Sequence, residues 1–391
     1  MTERYTSIVC AVFVVTVTLV SNCQTAFSNP ATWVPLYKLS AKQDVSVDPD
    51  RYFHGPALTV APNGDWLLSH QDSANHVGHD SVIRQVRSTD QGKTWTLDGT
   101  VYDGRQQDRL GRNPTYGVTA DGLVILVVQV CQSALSHGPW QDRGGYYGDN
   151  IEGSVWLTSK DNGKTYQERG WVNQVSRIRH KGTTGHILEH DGRLFMAGLE
   201  LVRDREQSSM NYYTLSRLAE EWQYGETLFP LIPSKTEPRI AGYPSLIMRA
   251  GGRLTAYCAD GARIFERTST DSGKTWRPIG EVQGLEICND PDFEYAGDIL
   301  VCHGRGMDQS SVVLFFSPDH GGAWGHPIVL ERYGPRSSDG AYSTSVPWGE
   351  DGVFIAFSTD AHKHKVPDIR GVFLQDIHIR RSQGKRDYFA P

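Results

Sequence analysis

Apolar residues along this chain come in short runs broken by glycine turns, and no segment carries a helical period long enough to predict a long helix. One unit recurs: an apolar run, a Gly turn, then a second apolar run. It runs from Ala57-Leu58-Thr59-Val60 through Asn63-Gly64 to Trp66-Leu67-Leu68, and from Tyr116-Gly117-Val118 through Asp121-Gly122 to Leu123–Leu126. Further copies pass through Asp191-Gly192, Gly251-Gly252 and Asp351-Gly352, and a fainter one leads from Phe293 through Gly297 to Ile299-Leu300-Val301. The pattern therefore predicts six β-hairpins.

A second repeat follows the hairpins. Ser88-Thr89-Asp90-Gln91-Gly92-Lys93-Thr94-Trp95 has counterparts at Ser159–Tyr166, Ser269–Trp276 and Ser317–Trp324. Each offers an Asp to bond backbone amides, a Gly for a positive-φ position and an aromatic that packs back on the sheet. Leu215–Trp222 reads as a degraded copy and Ser358-Thr359-Asp360 as a remnant in the last unit. Six units of about four strands each predict an all-β fold, a closed six-bladed propeller, since closure shortens exposed sheet edges. A β-sandwich with coincidental boxes is the competing architecture.

The 391 residues carry a net charge of −6 and no basic cluster, which argues against a nucleic-acid partner. The apolar run Ile8–Val20 follows Arg4 and is short for a membrane span. It reads as the core of a signal peptide over residues 1–28, leaving a propeller domain over residues 29–391, secreted or periplasmic. Val20-Ser21-Asn22-Cys23 faintly resembles a lipoprotein box, a weaker alternative. Beyond the leader stand Cys131, Cys258, Cys288 and Cys302; the spacing of the last two suits either a bridge between adjacent strands or buried thiols.

This arrangement resembles the sialidase superfamily from roughly Arg51 to Asp376. There the boxes are structural and the catalytic groups lie elsewhere, so each position is compared separately. Phe53-His54-Gly55-Pro56-Ala57-Leu58 matches the family's Phe-Arg-Ile-Pro-Ala-Leu, with His54 where the first carboxylate-gripping arginine belongs. Tyr243 stands in place of the family's glutamate, and the other two clamp arginines fall near Cys258 and near Gln309 or Ser310. The nucleophilic tyrosine does have a counterpart, Tyr342 in Gly340-Ala341-Tyr342-Ser343. The resemblance places the acid on the loop His70–Asp80, where Asp72 and Asp80 are the carboxylates and His76 and His79 lie between them. Loss of three bidentate, charge-assisted contacts implies that ordinary sialosides are poor substrates.

The inner strand of a propeller blade delivers its first residues to one mouth of the channel. On that rule His54, Tyr116, His186, Tyr243 and Tyr342 gather there, with Asp290 and Asp292 from the fifth blade. Two enzyme readings compete. A retaining glycosidase would use Tyr342 as nucleophile, Asp72 or Asp80 as acid, and His54, Asp290 or Asp292 as base. A polysaccharide lyase acting on a uronate would use His54 or His186 as base, Tyr243 or Tyr342 as proton donor, and Arg263 or Arg305 against the carboxylate. A non-catalytic glycan-binding propeller is the third reading. His54 and His186 also fit structural histidines at strand ends. Trp140, in the Gly-rich insertion Ser136–Asn150, is a candidate for stacking on sugar. The loop histidines His70, His76 and His79 fit solvated side chains better than a metal site, and no cofactor is implied. The expected partner is a carbohydrate, with no membrane span beyond the leader.

Overall fold

The computed structural model describes residues 33–75, 78, 80–132, 151–172, 178–180, 185–202, 208–216, 222–230, 244–249, 251–261, 263–333, 341–359 and 367–381. The leader, Tyr243, Trp140, His76 and His79 lie outside the described residues. Strands form six antiparallel sheets, each a blade. All six expected hairpins are present as the two inner strands of successive blades. The inner strands are Tyr52–Val60, Arg109–Val118, Leu188–His190, Ser245–Arg249, Ile287–Ala296 and Ser343–Trp348. Each lies against the next, and the sixth lies against the first, which closes the ring. Closure is completed by the N-terminal segment. Trp33–Leu39 is the outermost strand of the sixth blade, paired antiparallel with Asp368–Arg381.

The core is divided among the seams between blades. In the second blade Val124, Leu126 and Val128 pack toward the first blade, while Ile125 and Val127 pack toward the third. Pleating sends successive side chains to opposite faces, and here both faces are covered, so the strand reads as a continuous apolar run. Corresponding clusters fill the other four seams. Burying one such leucine contributes roughly 1.5–3 kcal/mol.

The boxes sit at the turn between third and fourth strands, at the end of each blade opposite the inner strand's first residue. Their geometry repeats. The Ser88 hydroxyl donates to Asp90 at 2.8 Å and accepts the Gly92 amide at 2.7 Å. Asp90 accepts the Thr94 amide and hydroxyl, at 2.9 and 2.7 Å. The amide caught by the aspartate is thus four residues on, and the serine serves the glycine. These bonds hold the Asp90 and Asp271 carboxyls down to about 2, with the threonine hydroxyl bond as the leading cause. Gly92 has φ 81°, and a Cβ there would run into the Trp66 ring. Trp222 keeps the aromatic's role where the third box is degraded, packing edge-on against Trp156 at 6.2 Å.

The remnant expected at Ser358-Thr359 is not a box. These residues end the second strand of the sixth blade, at the opposite end from the other boxes. The sixth blade has no third-to-fourth turn, because its fourth strand comes from the other terminus. The bridge between Cys288 and Cys302 is also absent: none of the four described cysteines is in a disulfide.

Candidate functional site at one mouth of the channel

The backbone breaks its ladder in the same way in three blades. The register skips Gly55-Pro56, Asn113-Pro114 and Asp290-Pro291 on their inner strands. Proline has no amide to give a ladder, so it sits at a bulge. The residue before it takes a left-handed conformation: φ is 58° at Gly55, 39° at Asn113 and 53° at Asp290. Gly185 and Ala341, at the same point of the third and sixth blades, have φ 82° and 68°. A left-handed turn at the start of five blades, those whose starts are among the described residues, therefore lies around the mouth. A Cβ on Gly55 would meet the Asn113 amide oxygen at 3.0 Å, so the first two blades touch there.

Inside this ring is a pocket, open at the mouth, lined from five blades by Gly55, Asn113, Gly185, Asp290, Asp292 and Tyr342 with their neighbours. Tyr342 forms its wall. The His54 imidazole lies edge-on to the Tyr342 ring, with centroids 4.1 Å apart. The Arg305 guanidinium lies over the same ring at 5.2 Å. His54 is 1% exposed, so the pair is held by packing. Burial works against the Arg305 charge, but Tyr342 and Asp290 outweigh it and raise its pKa. A phenol between an imidazole and a guanidinium has a proton acceptor and a charge stabiliser at hand.

Below Tyr342 the fifth blade supplies a second group. Asp292 is 2% exposed and reaches His186 of the third blade at 3.6 Å, an ion-pair distance. His303, on the neighbouring strand, stands 4.0 Å from the same carboxylate oxygen. Both His303 ring nitrogens are hydrogen-bonded at 2.8 Å, to Ser343 and Ser345. Burial disfavours the His186 charge, yet Asp292 and then Glu294 outweigh it and raise its pKa to about 9. Burial alone would raise Asp292; His186, with His303, holds it below its ordinary value. His303 is pushed down to about 4 by burial and Glu294 up to about 7 by burial.

The structure thus brings together His54, His186, Asp290, Asp292, Arg305 and Tyr342. It leaves others elsewhere. Asp72 is fully buried and is ion-paired with Arg51 at 2.5 Å and with Arg84. Asp80 is bound by Arg51 and by the Ala74 amide at 2.9 Å, and is held low despite partial burial. Neither lines the pocket. Tyr116, expected at the mouth, is in the seam between the first two blades, donating to Gln85 at 2.6 Å; Pro114 occupies its place. Arg263 is exposed, two strands out from the channel, with its guanidinium over Phe265 at 4.9 Å. His70 spends both ring nitrogens on the Gln71 carbonyl and the Ser46 hydroxyl. No group of three metal-ligating side chains occurs among the described residues. Nor is any helix among them long and apolar enough to cross a membrane. Sequence reasoning missed Asn113, Glu294 and His303. The repeated X-Pro dipeptide at Gly55-Pro56, Asn113-Pro114, Tyr243-Pro244 and Asp290-Pro291 was the available signal for the first.

Blade count, ring closure and a pocket at the end opposite the boxes define a six-bladed sialidase-like β-propeller. The chain belongs to the family of BNR repeat-like domains, whose model matches residues 67–355. No curated protein matches the sequence. Among solved structures, a Dyadobacter fermentans protein of unknown function is similar at 16% identity and TM-score 0.71, over 87% of this chain and 99% of its own. A Hadza microbial sialidase is similar at 14% identity and TM-score 0.62 over 82% of this chain, which spans 65% of that one. A Penicillium chrysogenum alpha-L-arabinanase, solved with arabinobiose, is similar at 15% identity and TM-score 0.58, over 87% of this chain and 98% of its own. At these identities the likeness is one of fold.

Proposed function

We propose that this chain is an exported glycoside hydrolase acting on a terminal sugar other than ordinary sialic acid. Residues 1–28 would be its leader and the remainder one propeller domain. One observation carries the reading: Tyr342 stands on the pocket wall with His54 at its edge and Arg305 over its face. In this mechanism the Tyr342 oxygen attacks the anomeric carbon and its proton passes to His54. Arg305 stabilises the phenolate as it forms. The leaving oxygen takes that proton back from His54, since Asp72 and Asp80 are engaged by Arg51 and Arg84 and Asp290 supports the Arg305 charge. Water then releases the sugar from Tyr342. The likeness of fold to a sialidase and an arabinanase supports carbohydrate as the substrate class. The lyase reading asks for a cation facing a uronate, and Arg305 is instead committed to Tyr342 and Asp290.

A panel of 4-nitrophenyl glycosides, with a sialoside included, tests this. Release is expected from a non-sialoside, and Tyr342→Phe is expected to lower kcat by roughly 10²-fold or more with the melting temperature kept. Efficient sialoside cleavage, full activity of the folded variant, or an unsaturated uronate product would each overturn it.

A further inference from the structure

The pocket wall is acidic. Two carboxylates, Asp290 and Asp292, line the pocket, and no Arg or Lys does so among the described residues. Asp292 is the sharper case. It is 2% exposed, and neither of its carboxylate oxygens completes a hydrogen bond of normal length among the described residues, His186 standing at 3.6 Å. A buried carboxylate is costly unless donors reach it, so one in this state on a pocket wall is built to receive them. His186 at 3.6 Å balances its charge without supplying that bond.

We infer that Asp292 is the hydroxyl-accepting anchor of the pocket and that it selects a neutral sugar over a uronic or sialic acid. This rests on the carbohydrate reading above. Sugar hydroxyls are donors of the right kind, and charge-assisted bonds to a carboxylate are about twice as strong as neutral ones. A substrate carboxylate would instead meet the like charge of Asp292. His186 is a positioning residue: it keeps Asp292 ionised against its burial. His303, locked between Ser343 and Ser345, fixes the other side of the carboxylate. The titratable groups facing Asp292 are thus His186 from the third blade and His303 on the adjacent strand. Glu294 and Asp290 lie along its own strand, and Tyr342 stands on the sixth blade's side of the pocket.

The test is binding, read by calorimetry on the Tyr342→Phe protein so that hydrolysis does not interfere. The probes are matched 4-nitrophenyl pairs, glucoside with glucuronide and galactoside with galacturonide, in both anomers. The neutral member of at least one pair is expected to bind ten-fold or more tightly than its acid. Adding Asp292→Asn is expected to weaken the neutral ligand about ten-fold and to narrow the preference. Adding His186→Gln is expected to keep binding at neutral pH but move its acid limb upward, because Asp292 then protonates at higher pH. Retained heat-unfolding midpoints establish that the variants fold. Tighter binding of the acids, or binding of neither member of any pair, overturns the assignment. Neutral-sugar binding by a protein that hydrolyses nothing would sink the hydrolase and leave this assignment standing.

Discussion

At the scale of single residues, the site depends on a few side chains whose partners are fixed by burial. His54 is the base only if its imidazole stays at the Tyr342 edge, 4.1 Å between centroids. His54→Gln keeps a polar group of similar reach but offers no proton acceptor of comparable strength. It is expected to cost roughly 10²-fold or more in kcat and to leave the unfolding midpoint within a few degrees. A shift in KM alone would show that His54 only shapes the pocket. Ala341 makes a different point. It has φ 68° with a Cβ and no side-chain oxygen to relieve the strain. Its amide and the Tyr342 carbonyl are both bonded to Ser358 at 2.9 Å, which holds the turn. Left-handed backbone costs a non-glycine residue roughly 1–2 kcal/mol, so Ala341→Gly is expected to be neutral or to stabilise by up to about 1 kcal/mol in denaturant unfolding. Clear destabilisation would mean the Ala341 methyl contributes more by packing than its backbone costs.

At the scale of the element, the box is a turn whose glycine is required twice. Gly92 combines a positive φ with contact against Trp66, so Gly92→Ala is expected to lose about 2–4 kcal/mol in denaturant unfolding. Gly99, at φ 139° with open space around it, is the control and should cost clearly less. The box aspartates have a pH signature. Asp90 and Asp271 are held near 2 in the folded chain, below their unfolded values. A depressed carboxyl stabilises above its unfolded pKa and loses that contribution as pH falls through the folded one. Stability should therefore drop between about pH 4 and pH 2, and replacing both by Asn should flatten that part of the curve. An unchanged slope would mean these exposed hydrogen bonds are worth little in water.

For the whole molecule, buried titratable groups set the pH of greatest stability. His70 and His303 are both pushed down to about 4, so unfolding takes up protons below about 6.5 and stability falls as pH drops toward 4. Glu294, raised to about 7, offsets one of these two protons over much of that range. His186, raised to about 9, stabilises fully below its unfolded pKa and loses that contribution as pH rises toward 9. The thermal midpoint is thus expected to peak near pH 6.5, and His186→Gln should remove the alkaline decline. Ring closure gives the second whole-molecule expectation. Without residues 33–39 the sixth blade keeps a bare edge on Leu374–Arg381. Such a chain is expected to unfold at lower denaturant and to associate through that edge, checked by light scattering.

The propeller was legible in the sequence because its units are local. A hairpin and a box turn are set by neighbours within ten residues, and six copies make the pattern visible. Tyr342, His54 and Arg305 could be named one by one, since each begins or follows an inner strand. Their meeting could not be read. Tyr342 and His54 are adjacent only because the ring closes. Asp292 pairs with His186 only because the closed ring brings the starts of blades three and five to one mouth. Asp72 and Asp80 are the converse case. Their loop position suggested availability, but Arg51 and Arg84 claim both carboxylates, one of them across a strand pair. Tyr116 was misplaced because an alternating pattern shows that a side chain leaves one face of a strand, not whether that face meets a channel or a neighbouring blade. Short-range periodicity specifies blades; the long-range packing of blade on blade assigns each polar residue its partner, and with it its charge and its chemistry.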